Sequence, residues 1–215
     1  MTPTSGPRRQ QRMTLDARRA QLVKVAQAAF VRDGSAVSTK AIAAEAGVHE
    51  ALLFQHFGSK DGLFKAAVME PLRALVAELR EAVRRITGLD GDRSALGQLL
   101  DEVHTEMLAA MTEIVPLLGV ALFSDVRAGR EFYRADLQPV LEEIAAVTRE
   151  GTAGWRRPGL DPTVLATATV GIHFAYGVQA MFVGDVRPEE IGPQVADLLW
   201  LGQVGVEPTA DGAAG

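Results

Sequence analysis

The 215-residue chain has no cysteine, which removes thiol nucleophiles, thiolate zinc sites, iron–sulfur clusters and disulfide staples at once. Histidine is scarce too, with only His49, His56, His104 and His173. On a helix, His104 and Glu106 project about 200° apart and cannot chelate together. The adjacent pairs Glu142-Glu143 and Glu189-Glu190 read as solvated carboxylates, and no G-x-x-x-x-G-K-[ST] phosphate loop occurs. With neither nucleophile–base pair nor ligand cluster in view, the expectation is a protein that is not an enzyme and takes no cofactor and no metal. Lysine is rare as well, four against eighteen arginines, which reflects genomic base composition more than mechanism.

Strand-like alternation is also missing, while apolar residues recur at helical spacing along most of the chain, so the fold class is all-α. With 47% hydrophobic and 23% charged residues, the composition is that of one globular chain of one or two domains. A chain of this size hides roughly 70% of the surface its unfolded form exposes and needs no staple. The first residues, MTPTSGPRRQQRM, are polar and basic with no apolar run behind them, unlike a secretory signal, and a cytoplasmic location is expected. One stretch, residues 163–183, carries no formal charge over the length that crosses a bilayer. Its three threonines, His173, Gln179, Tyr176 and two glycines, without a flanking Lys/Arg cluster, predict instead a helix buried on all sides by protein, and no membrane partner.

Charge is split along the chain. Residues 1–66 hold ten Lys/Arg against five acids, a balance of +5, and the remainder holds 12 against 22, or −10. That asymmetry indicates a basic amino-terminal module facing a polyanion and joined to an acidic body, or else a solvated basic tail.

Punctuation divides the first third into short helices. Leu22, Val25, Ala26, Ala29 and Phe30 form one stripe, with Gly34 as its stop. Ser38 or Thr39 caps a two-turn helix bearing Ile42, Ala43 and Ala46, and Gly47 ends it. A third helix past Val48 turns Leu53 and Phe57 inward and halts near Gly58; Ser59 caps a long fourth helix running to Ile86, in which Pro71 predicts a kink or break near Glu70. Two short helices joined at a glycine, with alanines where the backbones approach, fit a helix-turn-helix.

Residues 18–64 resemble the amino-terminal module of the TetR (tetracycline-repressor-like) family. The matching elements are Ala28-Ala29-Phe30, Gly34, Ser38-Thr39 before Ile42-Ala43, Ala46-Gly47-Val48, and His56-Phe57 followed by Ser59-Lys60-Asp61. The resemblance implies an all-α fold with an amino-terminal three-helix helix-turn-helix DNA-binding module and a larger helical ligand-binding and dimerisation body. It also implies that the helix from His49 to Gln55 reads duplex DNA, with Lys40 reaching a base edge and Glu50, Ala51 and Leu52 at base-facing places. Glu50 either accepts from a cytosine amino group or simply favours the helix dipole, while Leu52 suits a thymine methyl. Thr39, His56 and Lys60 are the expected phosphate donors, Lys60 gaining from the helix amino terminus as well. Phe54 stands where the family commonly has a tyrosine on a phosphate, and His49 where it commonly has a capping serine or threonine. Arg8, Arg9 and Arg12 form a backbone-reaching arm or a solvated tail.

The expected organisation is a flexible basic tail (1–15), the DNA-binding domain (16–66), the effector-binding and dimerisation domain (67–203) and a flexible carboxy-terminal tail (204–215). In the body, periodicity predicts helices at 94–113, 116–126, 131–155 and 162–183, the last opened by Asp161-Pro162, and a final helix from Pro188. A face of small residues, Ala168, Gly171, Ala175 and Val178, together with Val195, Leu198 and Leu199, is the expected homodimer interface, although intrachain packing gives the same pattern. His104, Met107, Met111, Phe123, Thr169, His173, Phe174, Tyr176 and Met181 describe a cavity for a largely apolar small molecule, or an ordinary core. The whole reading is a ligand-responsive regulator, as a repressor released from a palindromic operator with half-sites roughly 34–36 Å apart or a multiple. The alternative is a helical protein-interaction module with weak or no DNA binding.

Overall fold

The computed structural model describes residues 14–89, 92–154 and 156–204, and every regular element among them is helical. Contacts divide the chain into two compact units that meet between Ala67 and Val68. Arg8, Arg9, Arg12, Trp155 and residues 205–215 lie outside the described residues.

In the first unit, α1 (Leu15–Asp33) starts at Thr14, whose hydroxyl accepts from the Ala17 N–H at 3.2 Å. A 3-10 turn, Gly34–Ala36, leads to α2 (Thr39–Glu45). Of the two candidate caps Ser38 is the one used, its Oγ accepting from the Ala41 N–H at 3.1 Å. Gly47 then takes φ +67°, a left-handed conformation that side-chain-bearing residues rarely adopt, and the Val48 N–H returns to the Ala43 carbonyl at 2.9 Å. That reversal lets α3 (Glu50–Phe57) pack against α2. Leu22, Ala26, Phe30, Ile42, Leu53 and Leu63 are all at most 2% exposed, and Phe30 meets Phe64 edge-on at 5.0 Å. Most of each predicted stripe forms this small core, although Val25 and Phe57 are only half-buried and Val23 is buried as well.

α4 (Lys60–Thr87) begins at Ser59, whose hydroxyl accepts from the Gly62 N–H at 2.9 Å. Pro71 does not break it, so of the two expected outcomes, a kink or a break near Glu70, the break does not occur. The missing hydrogen bond and ring clash cost about 3 kcal/mol, but Val68, Met69, Leu72, Leu75 and Val76 around the proline are buried, and burying side chains of this size contributes about 1.5–3 kcal/mol each.

In the second unit the helices expected at 94–113 and 116–126 are one, α5 (Arg93–Phe123), with Pro116 inside it. Ten of its side chains between Leu99 and Ala121 are buried, which again outweighs the proline. The helix expected at 131–155 instead starts at Val126 and ends at Gly151: α6 (Val126–Phe132) and α7 (Gln138–Gly151) are joined by a π-helical segment, Tyr133–Leu137. Asp161 caps α8 (Pro162–Phe182), accepting from the Thr163 N–H at 2.7 Å, and α9 (Pro188–Val204) follows.

α5 is the central helix of this unit, packing on α6, α8 and α9, while α7 packs on α8. Leu108, Leu165, Val195 and Leu199 form a buried cluster from three helices. Val195 and Leu199, expected at the dimer interface, are 3% and 7% exposed, so their area is already spent within the chain, whereas Leu198 is 62% exposed. α8 is not buried on all sides: Leu165, Ala166, His173 and Gly177 face inward, and Ala168, Gly171 and Ala175 are exposed. Both α5 and α8 are long and apolar enough to cross a membrane by length and composition, and each packs only part of that surface within this unit.

Candidate nucleic-acid interface and effector cavity

On the α2–α3 pair, Lys40, His49, Ala51, Phe54 and Gln55 are exposed, and Thr39, Glu50, Leu52, His56 and Lys60 are half-buried. The surface is thus mixed, with an apolar Phe54 ring between cationic and amide groups. His49 makes no capping hydrogen bond with its side chain, so the first N–H groups of α3 point outward without a side-chain acceptor from that residue. An anion at that end gains from the helix dipole.

Two of the expected phosphate donors are engaged internally. The Thr39 hydroxyl donates to Glu50 Oε1 at 2.5 Å, tying α2 to the first turn of α3, and the Lys60 ammonium donates to the Ser35 carbonyl at 2.5 Å. A phosphate must compete with the Ser35 carbonyl for Lys60, although a three-donor ammonium can serve both. Sequence reasoning missed Arg19, which donates to the His56 carbonyl at 2.9 Å and lies 4.6 Å over the Phe57 ring. It fastens α1 to the carboxy-terminal end of α3, where a cation also favours the dipole. Arg32 likewise bridges Asp33 and Glu45, both at 3.0 Å, so part of the module's positive charge is neutralised on its own surface.

The residues expected to line one cavity in the second unit divide among several places. His104 and Met107 of α5 and Thr169 of α8 line a small, half-open cavity of about 90 Å³, the inner cavity of the helix bundle formed by α4, α5, α7 and α8. Phe174 lines a separate, larger groove of about 660 Å³ between the π segment, α7 and α8, with Tyr133, Leu141 and Val170. Met111 is packed in the core, Tyr176 lies against the Leu108–Leu199 cluster, and Phe123 and Met181 are 71% and 52% exposed, outside either cavity. The inner cavity also draws Val83 from α4 and Val147, Thr148 and Thr152 from α7 and its carboxy-terminal end, none of which spacing alone had marked.

His104 and His173 meet in the interior, 7% and 0% exposed, with His104 Nδ1 3.2 Å from His173 Nε2 and the rings stacked 5.1 Å apart. His173 Nδ1 lies 2.6 Å from the Thr169 carbonyl, which can only accept, so the proton sits on that nitrogen. Burial, and then the neighbouring His173, push His104 down to about 3; burial also lowers His173, against hydrogen bonds that raise it. Both rings are therefore neutral near pH 7. No group of three metal-ligating side chains occurs among the described residues.

Residues 22–67 match the family model described as bacterial regulatory proteins, tetR family. Over 86 residues the chain is 40% identical to the HTH-type transcriptional activator FasR of Mycolicibacterium smegmatis, covering 40% of this chain and 39% of that protein. Over 144 residues it is 32% identical to the HTH-type transcriptional regulatory protein RaaS of Mycobacterium tuberculosis, covering 64% of this chain and 58% of that one. It therefore spans less than two thirds of the length of these curated relatives. The crystal structure of the transcriptional regulator FadR from Bacillus subtilis in complex with stearoyl-CoA shares the fold, at a TM-score of 0.64 and 17% identity over 85% of this chain and 98% of that one. Residues 22–67 are thus similar in sequence to the amino-terminal module of the tetR family of bacterial regulatory proteins, and the helical fold of the described residues is that of the solved neighbour.

Proposed function

We propose that this protein is a cytoplasmic, homodimeric DNA-binding transcriptional regulator, a repressor whose operator affinity falls when a small, largely apolar molecule binds its helical body. The observation that carries the reading is the α2–Gly47–α3 reversal, which presents Lys40, His49, Ala51, Phe54 and Gln55 on an exposed surface of the family-matched module. The exposed face of α8 at Ala168, Gly171 and Ala175, with Leu198 of α9, supports dimerisation by close helix approach. Apolar cavities in the second unit support an apolar effector, as does the long acyl chain of the stearoyl-CoA held by a solved neighbour of the same fold. An effector can release DNA only through its differential affinity for the two conformations.

The test is selection of genomic duplex fragments by the purified protein, followed by titration of the best fragment at several salt concentrations. A palindromic motif bound with a steep negative salt slope is the expected result. A slope near zero, with no enriched motif, would favour a protein-interaction module.

Glu50 gives a sharper test of the reading helix. With one oxygen held by Thr39, the other is available to accept from a cytosine amino group. Glu50→Gln keeps an acceptor, adds donors and removes a charge, so non-specific affinity should rise. Preference at one base pair per half-site should move from cytosine toward adenine, by about 1–3 kcal/mol, in a random-duplex selection. An unchanged motif would assign Glu50 to the helix dipole alone.

A further inference from the structure

The Thr169 carbonyl sets the protons of the whole histidine pair. Because it takes the proton of His173 Nδ1, His173 Nε2 is an acceptor, and His104 Nδ1 must donate to it across 3.2 Å. In a neutral ring this leaves His104 Nε2 as a bare acceptor on the opposite edge. His104 is 7% exposed, and no group among the described residues makes a hydrogen bond to that nitrogen. The third buried polar side chain, Thr152, is satisfied: its hydroxyl donates to the Thr148 carbonyl at 2.8 Å and accepts from Arg156 at 2.7 Å.

His104 lines the inner cavity, whose wall is otherwise aliphatic with three threonines and carries no charged side chain. An adjoining pocket of about 130 Å³ shares Leu79, Ala82, Val103 and Met107 with it and is rimmed by Glu78, Glu81, Glu102 and Glu106. The one cation there, Arg85, is paired with Glu102 at 2.9 Å. Glu81 is paired with Arg84, so an anionic ligand beside this pocket meets Glu78 and Glu106 without an ion-pair partner among the described residues, and the adjoining cavity has no charged side chain to balance its charge.

We propose that the inner cavity binds the hydroxyl-bearing end of a neutral, largely aliphatic molecule, with His104 Nε2 accepting its hydrogen bond. This rests on the reading that the helical body binds an effector, and names the chemistry it selects: a donor rather than an acceptor, and an alcohol rather than a carboxylate.

The experiment titrates the full-length protein, labelled with ¹⁵N in histidine and ¹³C in methionine methyls, with 1-hexanol, its isostere 1-methoxypentane, and hexanoate. The Met107 methyl shift reports occupancy, and the His104 Nε2 shift reports the hydrogen bond. 1-Hexanol should bind about fivefold to tenfold more tightly than the ether, move the Nε2 resonance, and lose its advantage in His104→Phe. Hexanoate should bind more weakly than either. Equal binding of alcohol and ether with Nε2 unmoved, or tighter hexanoate, overturns the proposal while leaving an effector cavity in place. If none of the three moves the Met107 methyl, the cavity itself is not an effector site and both readings of it fall. Should His104→Phe not fold, the Nε2 shift of the unmodified protein decides between these outcomes.

Discussion

Acidification from pH 6.5 toward about 3 should progressively unfold the helical body. Over that range the unfolded chain takes up a proton on His104 at its ordinary value of 6.5, whereas the folded chain, in which burial holds that ring down to about 3, does not. The unfolded state therefore binds more protons, and stability falls as pH falls, by about 1 kcal/mol or somewhat more per pH unit for a fully shifted histidine. His173, lowered in the same direction, adds to the slope. Across the window the loss is on the order of several kcal/mol, comparable with the whole stability of an ordinary domain. Two carboxylates modify the result. Asp101, raised by burial and by Asp197, favours the fold as it protonates; Asp161, lowered by its cap to Thr163, opposes it. The two carboxylates act in opposite directions, and the decline that begins at pH 6.5 starts with the histidines.

Urea unfolding at a series of pH values measures this directly. The control is the double variant His104→Leu/His173→Leu, which removes donor and acceptor together at similar volume and so avoids leaving either orphaned. Its stability should be nearly flat where that of the unmodified chain is falling. Equal slopes for the two proteins would mean that the buried pair is not what makes the body sensitive to acid.

A second large effect is expected at glycines on which helices cross. A Cβ on Gly192 would overlap the Thr105 side-chain oxygen and stand 2.7 Å from the Thr105 backbone N and Cα. Backbone cannot rotate aside, so α9 must withdraw from α5 and loosen the Leu108–Val195–Leu199 cluster. Gly177 is similar, its Cβ falling 2.5 Å from Val115 Cγ2 and 2.8 Å from the Met111 carbonyl oxygen. Overpacking of this kind costs about 1–3 kcal/mol and at times more, and backbone collisions belong at the upper end. Gly192→Val and Gly177→Val should each lower the thermal midpoint by many degrees.

Gly171 is the comparison. It lies on the same helix as Gly177, and a Cβ placed there would meet nothing within 4 Å. Gly171→Leu should therefore leave the folded chain as stable or more so, since glycine is a poor helix residue by about 1 kcal/mol. If its face is where a second copy docks, the same change should shift sedimentation from dimer toward monomer. Destabilisation by Gly171→Leu at high dilution, with no change of oligomeric state, would remove α8 from the interface.

The amino-terminal helical module was legible in the sequence because its determinants are local. Ser38 and Ser59 cap, Gly47 turns, and Ile42, Leu53 and Phe30 mark faces, each acting within a few residues of its own position. Side-chain engagements across that module were not legible: neither the Thr39–Glu50 bond nor the Arg19 clasp on His56 and Phe57 has a spacing rule, since both depend on how helices meet.

In the body, spacing and punctuation were enough to show that the chain is helical and that α8 begins at Asp161-Pro162. Which apolar residues face one another followed from how the helices pack. Periodicity specifies a stripe but not its rotation toward a neighbour, so Val195 and Leu199 turned inward while Leu198 turned out. For the same reason Phe123 and Met181 left the cavity that His104 and Met107 line. The prolines mislead in the same way, since Pro71 and Pro116 break a helix only when surrounding contacts do not outweigh the lost hydrogen bond. The meeting of His104 and His173 across 69 positions, which leaves His104 Nε2 a bare acceptor, is a property of helix packing and of nothing shorter in range.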